Sequence, residues 1–143
     1  MTGDRPGEGE PAARVLYDMR PLVADNGAAA PGVVWRLAEA GRQLDANVVN
    51  LPAGKRIDTH TEPDLDVLVV VVAGSGTLTA DDGPLPLTPG ALVWLPRGST
   101  RSLTAGAEGL SYLTTHGRRP GMQIRTGPRA ADRRPTGSAG VAR

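Results

Sequence analysis

One histidine and several carboxylates stand directly before one of the chain's most apolar runs, in Gly54-Lys-Arg-Ile-Asp-Thr-His60-Thr-Glu62-Pro-Asp-Leu-Asp66-Val-Leu-Val-Val-Val-Val-Ala-Gly74. His60 and Glu62 are two apart, so on a strand their side chains leave the same face. An imidazole and a carboxylate so placed can ligate a divalent cation. They can also form an acid/base pair that moves a proton beside a carbonyl, or be no more than the polar rim of a strand. In that blander reading Glu62 and Asp64, flanking Pro63, are solvated loop residues. Asp58, near Lys55 and Arg56, then offers exposed ion pairs of little worth. His116, just before Gly-Arg-Arg-Pro, reads as an exposed strand end. Trp94, inside Leu-Val-Trp-Leu, reads first as core and second as a pocket wall.

The elements that must position these residues are short strands separated by turn chemistry, the pattern of an all-β sandwich or barrel. The expected strands are 33–37, 45–51, 56–61, 67–73, 77–79, 85–87, 91–95, 101–105 and 110–115. Asp81-Asp82-Gly83 signals a hairpin, and Pro89-Gly90 and Pro96-Arg-Gly98 signal turns. The best helical candidate, 34–44, is weakened by Gly41 and a β-rich start. Val67–Val72 does not alternate, so it offers apolar side chains to both faces. A second sheet, the N-terminal segment or another subunit must cover the outer one, and a homodimer is expected.

Composition narrows the field. The 143 residues suit one domain with one core. Cysteine is absent, which excludes disulfides, thiolate metal sites and a thiol nucleophile. Phe is absent too, so Val, Leu and Ala must build the core. No run approaches a signal peptide or a membrane span, and the protein reads as soluble and cytoplasmic, with no membrane partner. Abundant Ala, Gly, Pro, Val and Arg hint at a GC-rich bacterial genome. The net charge of +1 is uneven: residues 118–143 carry seven Arg against one Asp, leaving nine basic and fourteen acidic residues in 1–117. The expected division is a disordered N-terminal segment, 1–12, a barrel, 13–117, and an Arg/Gly/Pro-rich disordered tail, 118–143. The tail lacks interleaved aromatics, so nucleic acid is not the expected partner.

The glycine and proline skeleton of residues 54–101 resembles that of the cupin superfamily, which is recognised by two short motifs about 20 residues apart. In the first, Gly54 is followed after five residues by His60. Glu62 stands where a second His belongs, and Asp66 where a Glu belongs. In the second, Gly90, Pro96 and Gly98 match in spacing, and Arg101 stands where the last His belongs. The resemblance implies an antiparallel jelly-roll-like barrel with a pocket at one mouth, lined here by His60, Glu62, Asp66, Arg101 and Trp94. In metal-binding cupins the four motif side chains converge on one divalent ion such as Fe, Mn, Ni or Zn. Of those four, this chain keeps only His60 in kind.

Arg101 is permanently protonated and cannot ligate a metal. It would repel M²⁺ and could instead form a bidentate pair with Glu62 or Asp66. No cofactor is therefore favoured; were a metal bound, His60, Glu62 and Asp66 would hold it. Seven residues separate Asp66 from Gly74 where the family pattern has six, so Asp66 points outward unless a bulge absorbs the difference. Three functions stay open. The first is a module binding a small anionic or carbonyl-bearing molecule through Arg101, His60 and Glu62. The second is a metal-independent isomerase, epimerase or cyclase using His60 and Glu62. The third is a metal enzyme of the dioxygenase or isomerase kind.

Overall fold

A computed structural model of the protein describes residues 11–25 and 30–119. The expected disordered stretches lie outside these, except 11–12 and 118–119. The chain runs α1 (Arg20–Asp25), β1 (Gly32–Arg36), β2 (Leu44–Leu51), β3 (Arg56–Thr61), β4 (Val67–Ala80), β5 (Gly83–Leu87), β6 (Leu92–Leu95) and β7 (Thr100–Gly117). All strand pairings are antiparallel. The expected strands are present, but four of them merge into two: 67–73 with 77–79 as β4, and 101–105 with 110–115 as β7. The weak helical candidate at 34–44 is instead β1 followed by a turn. No helix among the described residues is long and apolar enough to cross a membrane.

The long strands β4 and β7 pair along their whole length and bend together, which converts one ribbon into two facing sheets. Beyond the bend in one direction lie β1, β2, the second half of β7, the first half of β4, and β6. In the other lie β3, the first half of β7, the second half of β4, and β5. At the bend Gly74 pairs with Leu110 and Gly76 with Ala105, so four residues of β7 bulge against one of β4. Crowding against the backbone requires glycine at position 76. A Cβ on Gly76 would lie 2.6 Å from the Thr104 carbonyl oxygen, and one on Gly106 would lie 2.6 Å from Ser75 Oγ.

The inward faces interlock as one core. Val67, Val69 and Val71 of β4 alternate inward opposite Tyr112 and Leu110 of β7 and Val49 and Leu51 of β2, while Leu78, Leu103 and Ala105 line the facing sheet. Leu78 and Leu110 are fully enclosed, each worth about 1.5–3 kcal/mol relative to exposure. Without Phe, the interior is filled by Leu and Val together with Ala105 and Tyr112.

The outer face of Val67–Val72 is covered in part by the N-terminal segment. α1 packs on β4 with Leu22 buried, and Tyr17 stacks on Trp35 with centroids 5.8 Å apart. A buried polar relay fixes the approach: Ser111 Oγ donates to Asn50 Oδ1 at 2.9 Å, and Asn50 Nδ2 donates to the Ala30 carbonyl at 3.1 Å. Leu68, Leu92 and Trp94 remain exposed on this side.

Candidate functional site

The ends of the two sheets opposite the bend are joined by two connections: residues 62–66, from β3 to β4, and residues 96–99, from β6 to β7. They are tied to each other. The Gly98 N–H donates to the Glu62 carbonyl at 2.8 Å, and the Arg97 N–H donates to Asp66 Oδ1 at 2.9 Å. Gly98 has φ of 86°, a left-handed conformation that explains the Pro96-Arg-Gly98 turn. These connections hold His60, Glu62 and Arg101 at one mouth of the barrel.

His60 is aimed by a bulge. Ile57 pairs with Leu103 and packs on the core, so strict alternation would turn residue 60 outward. One extra residue in β3 between positions 57 and 60 resets the register and sets His60 directly opposite Arg101. The Thr61 and Thr100 hydroxyls pin the next position at 2.9 Å. His60 Nδ1 lies 3.1 Å from the Asp58 carbonyl oxygen. A carbonyl only accepts, so Nδ1 carries a proton in this contact.

Arg101 shares the inward face of β7 with Leu103 and Ala105 and is only 5% exposed. Burial pushes its guanidinium below the ordinary value, and the charge of Glu62 partly offsets this. A guanidinium has five N–H donors. Among the described residues the only side-chain hydrogen bond from Arg101 is a long one, Nη1 to the Ser99 carbonyl at 3.5 Å.

Glu62 is also buried, yet its partners are not those expected. Its Oε2 accepts the Asp64 N–H at 2.9 Å, and its Oε1 is bonded to the guanidinium of Arg119, which also lies 3.9 Å from Asp64. Burial raises the Glu62 carboxyl. The Asp64 N–H, the charge and hydrogen bond of Arg119 and the Leu65 N–H together outweigh it, holding the group below the usual carboxylate range. The expected bidentate pair between Arg101 and Glu62 or Asp66 is thus corrected. Arg119 neutralises Glu62, and Arg101 acts on it through space.

Asp66 does not join the inward set. Val67 takes the core-facing position, so its neighbour turns away, and its carboxylate is held by the Arg97 N–H and, at 3.5 Å, by Arg97 Nη1. Trp94 needs a second correction. It alternates with the core residue Leu95 and is 59% exposed on the outer face of β6, opposite Leu68, so it is neither core nor a wall of the interior. His116 is half-buried on the same face of β7 as Tyr112 and Thr114, with Nδ1 2.8 Å from the Gly117 carbonyl oxygen. Thr114 Oγ1, on that face, is buried without a hydrogen-bond partner.

Among the described residues no three His, Asp or Glu side chains gather where they could hold a divalent ion, and a fixed cation stands at the place of the fourth ligand.

Sequence reasoning missed Arg119, which it assigned to the tail. Both of the first tail residues are bonded to the barrel: the Arg118 N–H donates to the Gln43 carbonyl at 2.9 Å, and Arg119 reaches Glu62. The signal, an Arg pair just past the last strand and near two acids of the β3–β4 connection, is visible only once the topology brings them together.

Solved structures share this architecture. The cupin domain of Cnp3 from Schizosaccharomyces pombe superposes with a TM-score of 0.54 at 20% identity, over 59% of this chain and 63% of that one. A cupin-superfamily sugar phosphate isomerase from Silicibacter pomeroyi gives 0.53 at 24% identity, over 66% and 69%. The fold is that of the cupins. KdgF from a Halomonas species gives 0.54 at 21% identity, over 63% of this chain and 83% of its own. No protein-family model matches the sequence, and neither does any curated protein.

Proposed function

We propose that this cupin-fold protein binds a small anionic or carbonyl-bearing molecule at the barrel mouth, without a metal ion. Arg101 is the anchor, and His60 presents its Nε2 side from the opposite strand. The observation that carries the reading is the state of Arg101. A guanidinium so buried, with one long side-chain hydrogen bond, bears a desolvation cost that the Glu62 charge offsets only in part; a ligand acceptor would offset more, and an oxyanion or polarised carbonyl matches its fork.

Glu62 favours binding over proton transfer. A carboxylate held below its usual range is a weak base at neutral pH, whereas an efficient general base lies near the working pH. The fold does not choose a reaction, since cupin-fold chains carry unrelated activities. The soluble, cytoplasmic and homodimeric expectations belong to the same reading, with Leu68, Leu92 and Trp94 as the contact between copies.

Calorimetry across small carboxylates, phosphates and carbonyl compounds tests it. Wild-type protein is expected to bind at least one class at a 1:1 ratio, and Arg101→Gln to lose that binding. Equal binding by Arg101→Gln, or no binding by the wild type to any class, would sink the reading.

A further inference from the structure

We propose that Arg119, beyond the end of β7, is a positioning residue that keeps Arg101 open to an anion by holding Glu62 away from it. This rests on the reading of Arg101 as the ligand anchor. The competition is built into the mouth. Glu62 and Arg101 are both buried, opposite in charge and electrostatically coupled. Left alone, two such groups would close into a bidentate pair, the strongest geometry open to them. In the structure they do not pair: Oε2 accepts the Asp64 N–H and Oε1 is bonded to Arg119, so the carboxylate is turned to those donors rather than to Arg101.

The two holds differ in kind. The Asp64 N–H belongs to the backbone of the connection that carries Glu62, so it moves with it. Arg119 comes from another part of the chain, fifty-seven residues away, and its side chain is half exposed. Its approach is set by Arg118, whose N–H donates to the Gln43 carbonyl and whose Nη1 donates to the Arg42 carbonyl at 3.4 Å. Residues 118–119 thus form a strap from the β1–β2 turn to the mouth. With the strap in place Arg101 keeps its donors for a ligand. With Arg119 gone, Glu62 rotates onto Arg101 and the site quenches itself.

The test has a ligand-free arm and a ligand arm, both read from the side-chain Nε–H resonance of Arg101 in ¹⁵N-labelled protein. In ligand-free protein, Arg119→Gln is expected to shift that resonance and slow its exchange with water, as a new pair with Glu62 forms. Arg119→Lys should leave it near the wild-type position, and adding Glu62→Gln to Arg119→Gln should return it there. An unchanged resonance in Arg119→Gln overturns the proposal, as does a shift that Glu62→Gln does not reverse. In the second arm pyruvate is titrated as a probe that is both anionic and carbonyl-bearing. Arg119→Gln is expected to weaken it about tenfold, within the ordinary range for coupling between two groups, and the double variant to recover it. Undiminished affinity in Arg119→Gln likewise overturns the proposal. A wild-type resonance that pyruvate leaves unmoved counts against pyruvate binding at Arg101 and leaves the ligand-free comparison to decide the role of Arg119.

Discussion

Asp66 accepts a 2.9 Å hydrogen bond from the backbone N–H of Arg97. The acid that the motif spacing aligns with a metal-binding glutamate is therefore a clamp between two loops. The pair holds the β6–β7 connection against the β3–β4 connection, beside the bond from Gly98 N–H to the Glu62 carbonyl. The division of labour among the mouth carboxylates follows: Asp66 shapes the loops, and Glu62 faces the cations.

Asp66→Ala is accordingly expected to lower stability by about 1 kcal/mol, the usual value of one hydrogen bond, and to leave anion binding intact. Urea denaturation and calorimetry on the same variant check both halves. Loss of binding comparable to that of Arg101→Gln would return Asp66 to the site.

Arg101→Met should have the opposite signature. The methionine fills similar space without a desolvation cost, and Glu62 keeps Arg119 as its counter-ion. Stability is expected to rise by about 1–2 kcal/mol, at the low end for replacing a buried ionic group by an apolar one, while anion binding disappears. A marked fall in melting temperature would show that Arg101 serves the fold rather than a ligand.

The Glu62 carboxyl predicts a pH dependence of stability. Its folded value lies below its unfolded one, so the folded state binds this proton less tightly. Its contribution is fully present above the unfolded carboxylate value and is lost as pH falls through the lower folded value. Denaturation from pH 7 downward should show an acid limb in wild-type protein that is shallower in Glu62→Gln. Identical limbs would mean that Glu62 is not held as a carboxylate.

The barrel was readable because its punctuation is chemical. Asp81-Asp82-Gly83, Pro89-Gly90 and Pro96-Arg-Gly98 end strands through backbone demands that no distant contact overrides, and β3 falls on 56–61 as expected. The same punctuation misled at the bend. Gly74-Ser-Gly76 looks like a turn between two strands, yet it is the point where one strand passes between sheets. Asp18 and Pro21 do carry a start signal for α1, with Asp18 Oδ1 accepting the Arg20 N–H at 3.0 Å, but six residues give no apolar period to find. Trp94 was misjudged because period-2 alternation leaves open which face is covered. Arg119 was invisible for a different reason: its partner depends on which loops the barrel closure brings to the last strand.

Removal of metal gives a direct check on the donor set. A tightly bound ion stabilises the folded state by mass action, about 2.7 kcal/mol at a hundredfold excess over its dissociation constant. Dialysis against a chelator is expected to leave both the melting temperature and anion binding unchanged. A stoichiometric ion surviving dialysis, or a fall in melting temperature after chelation, would mean that His60 and Glu62 rearrange around a metal.

The outer face of β6 carries the last prediction. Leu68 and Trp94 are cross-strand partners, as are Val70 and Leu92, and the exposed three of these form an apolar strip along a four-residue strand that pairs only with β4 among the described residues. An edge with unpaired backbone groups beside apolar side chains is a template for another strand, and a second copy brings an identical edge that can run antiparallel to it. Light scattering at micromolar concentration is expected to give twice the 14.8 kDa chain mass. Trp94→Glu should return it to one chain while circular dichroism stays unchanged, because a surface substitution shifts the fold by no more than about 0.5 kcal/mol. A wild-type protein of single-chain mass would remove the dimer and leave the strip without this role.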